Sequence, residues 1–151
     1  MITDASLQLS TAQVVTATAV STNTIDLGVA RDMAPGDELY AIFSVDVSAA
    51  AAGAATVTFQ IITSAASDLS SPTVISSTDA IGKAELTAGR SPISLHLNKS
   101  ILAAQKLGQR YLGVQYVVAT GPLTTGSAFS CVLTDSEIAD GKYYTSGFSV
   151  L

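Results

Sequence analysis

From residue 110 to residue 135 the chain reads RYLGVQYVVATGPLTTGSAFSCVLTD, two runs of strand-like residues separated by a Gly/Pro-rich turn. In the first run Leu112, Val114, Tyr116 and Val118 share one face, and Tyr111, Gly113, Gln115 and Val117 share the other. Both faces are largely apolar. A strand covered on both sides belongs in a sandwich or an oligomer, because a lone sheet keeps one face wet. The pattern predicts strands over 109–119 and 127–134, paired as a closing hairpin.

The same period recurs upstream. Thr, Val and Ala alternate through 5–27 around the polar break Ser21-Thr22-Asn23, giving a short strand, a turn and a second strand at 24–27. Pro35-Gly36-Asp37 marks a turn before a strand over 38–47, in which Leu39, Ala41, Phe43, Val45 and Val47 face one way. Residues 48–55, SAAAAGAA, are rich in good helix formers, but a run this short with a central glycine reads as a loop. Val57, Phe59 and Ile61 alternate with Thr58 and Gln60 in a half-buried strand, and 64–72 form a loop whose Asp68 and serines cap backbone groups. Shorter strands follow over 73–77 and 83–87, then one with Ile93, Leu95 and Leu97 on a face, and a helical turn or wide loop over 98–105. Eight to ten short strands without a sustained helical period predict one all-β domain, an antiparallel sandwich.

Composition sharpens this picture. Charged residues are 13% of the chain, against a usual fraction of about 25%. Ala fills 23 positions and Ser plus Thr 36, so the surface is built from small neutral side chains suited to packed protein contacts. No apolar run reaches the roughly 18 residues of a membrane span, and no membrane partner is expected. MITDASLQLS lacks a basic leader and an apolar core, and a single cysteine, Cys131, fits a reducing compartment, so synthesis in a cytoplasm is expected.

Net charge is −5 and unevenly spread. Residues 1–82 carry eight acids against Arg31, whereas 83–110 carry Lys83, Arg90, Lys99, Lys106 and Arg110 against Glu85. Such a split suits contacts between copies or with a partner, and equally suits charges scattered over solvated loops. A pI of 4.5 with no Lys/Arg run leaves no footprint for nucleic acid.

No motif carries catalysis. His96 stands alone in ISLHL, opposite Ile93, Leu95 and Leu97, and lacks the companions of a zinc site. Cys131 shares parity with Phe129 and Leu133 and reads as a small core residue; a Cys–His pairing across strands is left open. Asp135, Glu137 and Asp140 do not follow the calcium-loop spacing, and the glycines fit no phosphate-binding fingerprint. The expectation is a protein without catalytic residues, metal or cofactor.

Six segments give the chain a resemblance to the jelly-roll capsid cement (decoration) proteins of tailed bacteriophages: TATAVSTNTIDL from Thr16, ARDMAPGDELY from Ala30, AGAATVTFQ from Ala52, SSPTVISST from Ser70, RYLGVQYVVATGPLTTGSAF from Arg110 and YTSGFSV from Tyr144. The resemblance lies in the order of strand and turn patterns along nearly the whole chain. It implies a non-enzymatic homo-oligomer, dimer or trimer, on the outer capsid surface of the virion, bridging major capsid protein subunits and stabilising the expanded shell. An N-terminal arm, 1–12, and a C-terminal tail, 135–151, are candidates for docking, as is the basic set Lys83, Arg90, Lys99, Lys106 and Arg110. The alternative is a carbohydrate-binding or adhesin-type sandwich of a phage tail or cell surface. Exposed rings would mark it, and Tyr143 and Tyr144 are the candidates.

Overall fold

The computed structural model describes residues 4–30, 38–98 and 108–135. Among these residues ten strands form two antiparallel sheets. Sheet A has the order β1 (Gln8–Val14), β10 (Ala128–Thr134), β4 (Tyr40–Val47), β8 (Ile93–His96). Sheet B has the order β2 (Ala19–Val20), β9 (Tyr111–Ala119), β5 (Thr56–Ser64), β6 (Thr73–Ser77), with β3 (Ile25–Asp26) extending β2 along β9 and β7 (Ile81–Gly82) extending β6 along β5. With each extension counted with its neighbour, eight strands run 1-8-3-6 in one sheet and 2-7-4-5 in the other. That order is a jelly roll: every connection crosses between sheets except the one from β5 to β6.

The crossing rule overturns one expectation. β9 and β10 are not a hairpin; they lie in different sheets and face each other through the core. Tyr116 of β9 stacks on Phe129 of β10, ring centroids 5.6 Å apart and 21° between planes. Thr120, Gly121 and Gly126 in the connection all adopt positive φ, which carries the chain across rather than back alongside itself. Phe43 of β4 and Phe59 of β5 complete an aromatic cluster drawn equally from both sheets. Period-two alternation delivers these rings inward: Ala41, Phe43 and Val45 register against Leu133, Cys131 and Phe129, all buried. The Tyr116 phenol meets the Ser10 hydroxyl in this core, joining the sheets by a buried hydrogen bond.

Three further expectations are corrected. Residues 83–87 are no strand, since Lys83–Glu85 form a 3-10 turn. The arm over 1–12 is, from Gln8 onward, edge strand β1, with Leu9 and Ser10 fully buried because strand pairing with β10 draws them into the sandwich. β5 is also buried on its outer face near its end, at Ile62 and Ser64. The loop 65–72 folds back there, and Leu69 covers Gly113 of β9. The second apolar face of β9 is thus partly covered by its own chain.

Candidate interaction surfaces

The groups that carry chemistry elsewhere are kept apart in this fold. Cys131 sits in β10 between Phe129 and Leu133, and burial pushes its thiol well above the usual range, so it is no nucleophile at neutral pH. His96 projects from the opposite face of the same sheet, exposed, its ring 5.0 Å from that of Tyr40. Tyr40 donates its hydroxyl proton to Glu38 at 2.6 Å. Cys131 faces the core and His96 faces solvent, so they do not pair. Among the described residues no three His, Cys, Asp or Glu side chains converge as metal ligands. Of the acidic cluster Asp135, Glu137 and Asp140, only Asp135 is within the described residues.

The basic set is dispersed. Lys83 follows β7; its backbone N–H donates to Ala55 O at 3.0 Å and its Nζ to Ala51 O. Arg90 is folded onto its own loop, donating to Glu85 O at 2.8 Å and Ser91 O at 3.3 Å. Arg110 lies at the far end of the β5–β9 ladder, which runs from Thr56 opposite Ala119 to Ser64 opposite Tyr111. A nine-residue strand separates Lys83 from Arg110, about 27 Å at roughly 3.4 Å per residue. Arg110 grips Asp26 with two bonds of 2.8 Å, and its guanidinium lies 5.1 Å from the Tyr111 ring. The guanidinium, with the Gly28 N–H, holds the Asp26 carboxyl down at about 2. Arg110 is therefore committed to its own chain, while Lys99 and Lys106 lie outside the described residues.

The two flanks of the sandwich differ. On one, β1 is stitched to the segment leading from β2 to β3: Asn23 N donates to Leu9 O at 2.9 Å, Asn23 Nδ2 to Gln8 O at 2.9 Å, and Gln13 Nε2 to Val20 O at 2.7 Å. On the other, β6 and β8 end their sheets, and Ile75, Leu95, His96 and Asn98 line an open groove of about 360 Å³ between them. A 3.1 Å bond from Asn98 N to Ser76 Oγ spans it.

The ends differ as well. Asp4 and Asp135, the first and last described residues, flank the same end of the paired strands β1 and β10. Residues 27, 39, 98 and 109 are fixed at this end too, through Leu27 N to Arg110 O, the strand start at Tyr40, Asn98 N to Ser76 Oγ, and Gln109 N to Thr63 Oγ1. Sequence reading did not find this clustering, nor the Asp26–Arg110 pair, whose members stand 84 positions apart.

A protein-family model described as Bbp16 matches residues 9–133, from the second residue of β1 to the penultimate residue of β10, and the chain belongs to that family. No curated protein matches it.

Proposed function

We propose that this member of the Bbp16 family is a structural cement protein of a tailed-phage head, a homo-oligomer that binds the outer capsid surface and bridges major capsid protein subunits. The observation that carries this reading is the jelly-roll strand order on a chain whose outer positions are largely Ala, Ser and Thr and whose reactive groups are buried or held apart. Such a domain offers packing area and backbone groups for contacts with other proteins. Its task is to add contacts across seams of the expanded shell and so resist the pressure of packaged DNA. Asp4 and Asp135, the outermost described residues, lie at one end of the β1–β10 pair, which suits docking of that end across adjacent subunits.

Purified chain mixed with empty expanded shells tests this. Full-length protein is expected to bind saturably, and deletion of 1–7 or of 136–151 to weaken binding. Charge reversal at Lys83 and Arg90 separates an electrostatic contribution, which salt screens beyond about 10 Å at 0.1 M. Full occupancy by all variants at every salt concentration would refute docking by arms and charges. The ring pair of exposed His96 and half-buried Tyr40 is a described feature that suits the carbohydrate-binding alternative, and glycan-array binding abolished by His96→Ala would favour that reading instead.

A further inference from the structure

We propose that the outer face of sheet A receives a segment of the capsid partner in which an apolar side chain is flanked by Lys or Arg. This rests on the cement reading above and assigns it a surface and a recognition chemistry. Ala41, Phe43, Cys131 and Leu133 turn inward, so Ile42 and Val132 between them turn outward. Gln8 pairs with Val132, Val132 with Ile42, and Ile42 with Ser94, which lays one row of outward positions across all four strands. The next row sets Ser130 beside Ser44. Small side chains there leave the sheet recessed next to the larger Ile42 and Val132.

Two cavities open on this face. One, of about 210 Å³, is lined by Ile42, Ser44, Pro92, Ser130 and Val132, and the other, of about 240 Å³, by Asp4, Ala5, Gln8 and Val132. Gln8 also lines the first, so the two adjoin in one trough from Pro92, just before β8, to the start of β1. Each is smaller than the roughly 300–1,000 Å³ of a small-molecule site, and the pair, side by side and open, suits successive side chains of a bound segment. Sheet B is closed differently. There Leu69 of the chain's own loop fills the outward position at Gly113.

Two carboxylates identify the occupant. Asp4 lines one cavity, and Asp46 accepts at 2.6 Å from the hydroxyl of Ser130, which lines the other. Ser130 Oγ also accepts the Ala12 N–H at 2.8 Å, so the Asp46 contact is held in place. Both acids are exposed, and neither has a cationic partner among the described residues, whereas Asp26 is held by Arg110. Hydrogen bonds from Ser6 keep the Asp4 carboxyl below its ordinary range. An apolar trough with an unneutralised carboxylate toward each end complements a segment that sets cations on either side of an apolar side chain. The trough also begins at the end that Asp4 shares with Asp135, the end proposed to dock.

The test uses the full chain and empty expanded shells. Carbodiimide cross-linking is expected to join Asp4 or Asp46 to lysines of the capsid protein. The double variant Asp4→Asn, Asp46→Asn keeps both side chains as hydrogen-bond acceptors, and is expected to weaken shell binding about tenfold at low salt and to flatten its salt dependence. Ser44→Tyr fills the trough and should weaken binding at every salt concentration, while Thr58→Tyr on the outer face of sheet B should not. Should Ser44→Tyr fail to fold by circular dichroism, the double variant and the cross-links decide. Wild-type affinity and salt dependence in the double variant, or cross-links confined to other copies of this chain, would overturn the assignment and leave the cement reading standing. Shells left bare by wild type would overturn both.

Discussion

Gly113→Ala tests how the outer face of sheet B is closed. Gly113 pairs with Ile62 inside the longest ladder among the described residues, where a side chain would ordinarily help a strand. A Cβ here would lie 2.3 Å from Leu69 Cδ1, 2.9 Å from Ser21 Oγ and 3.2 Å from Leu69 Cδ2. Carbon pairs settle at roughly 3.5–4.0 Å, so Leu69 must retreat by about 1.2 Å. Its surroundings resist this. Leu69 N donates to Ala66 O at 3.0 Å, Ser64 Oγ to Ser70 O at 2.7 Å, and Ser70 N to Asp68 Oδ1 at 3.0 Å, fixing the loop with Leu69 itself at φ +57°. Ser21 cannot yield either, since its hydroxyl donates to Asn23 O and accepts from Val114 N. Overpacking costs about 1–3 kcal/mol, and expelling Leu69 forfeits about 1.5–3 kcal/mol of burial. Removing a strand glycine returns about 0.5–1 kcal/mol. The net expectation is a loss of about 2 kcal/mol, read in urea at fixed chain concentration as a lower midpoint with unchanged slope. Leu69→Ala removes the obstructing methyls, so the double variant should be more stable than the two single losses summed. Wild-type stability for Gly113→Ala, or an additive cycle, would refute the close approach.

Tyr116→Phe strips the buried Ser10 hydroxyl of its partner and should cost about 1–2 kcal/mol in the same assay; an unchanged midpoint would mean that the bond contributes nothing. Cys131→Ser should lose about 1 kcal/mol or more through a buried hydroxyl, and His96→Ala should lose little, with both retaining shell binding. In wild type the Cys131 thiol should react with a disulfide reagent only at the rate of unfolding. The Asp26 carboxyl should titrate near 2 by NMR, and Arg110→Gln should return it toward its ordinary 3.8. Because the folded value is the lower one, the contribution of the pair is complete above the ordinary value and is lost as pH falls through about 2.

Alternation told which residues face inward, and the buried set Ala41, Phe43, Val45, Val57, Phe59, Ile61, Leu112, Val114 and Tyr116 follows it. It did not tell which sheet a strand joins. The segment 109–134 reads as a hairpin because two strand-like runs flank Gly and Pro, yet the eight residues from 120 to 127 exceed a tight turn and cross the core. The basic residues between 83 and 110 are near in sequence, but β5 and β9 place Lys83 and Arg110 at opposite ends. The closeness of Leu69 to Gly113 depends on a loop folding over a sheet, which no local pattern encodes.

The central claim is that this jelly roll cements a capsid, and cryo-electron microscopy of expanded shells incubated with the purified full-length chain tests it most directly. The account expects ordered density on the outer surface, sized for the sandwich and straddling neighbouring capsid subunits, with the end that carries Asp4 and Asp135 turned toward the shell. Shells that stay bare under saturating protein, or density confined to the interior or to a tail, would contradict it.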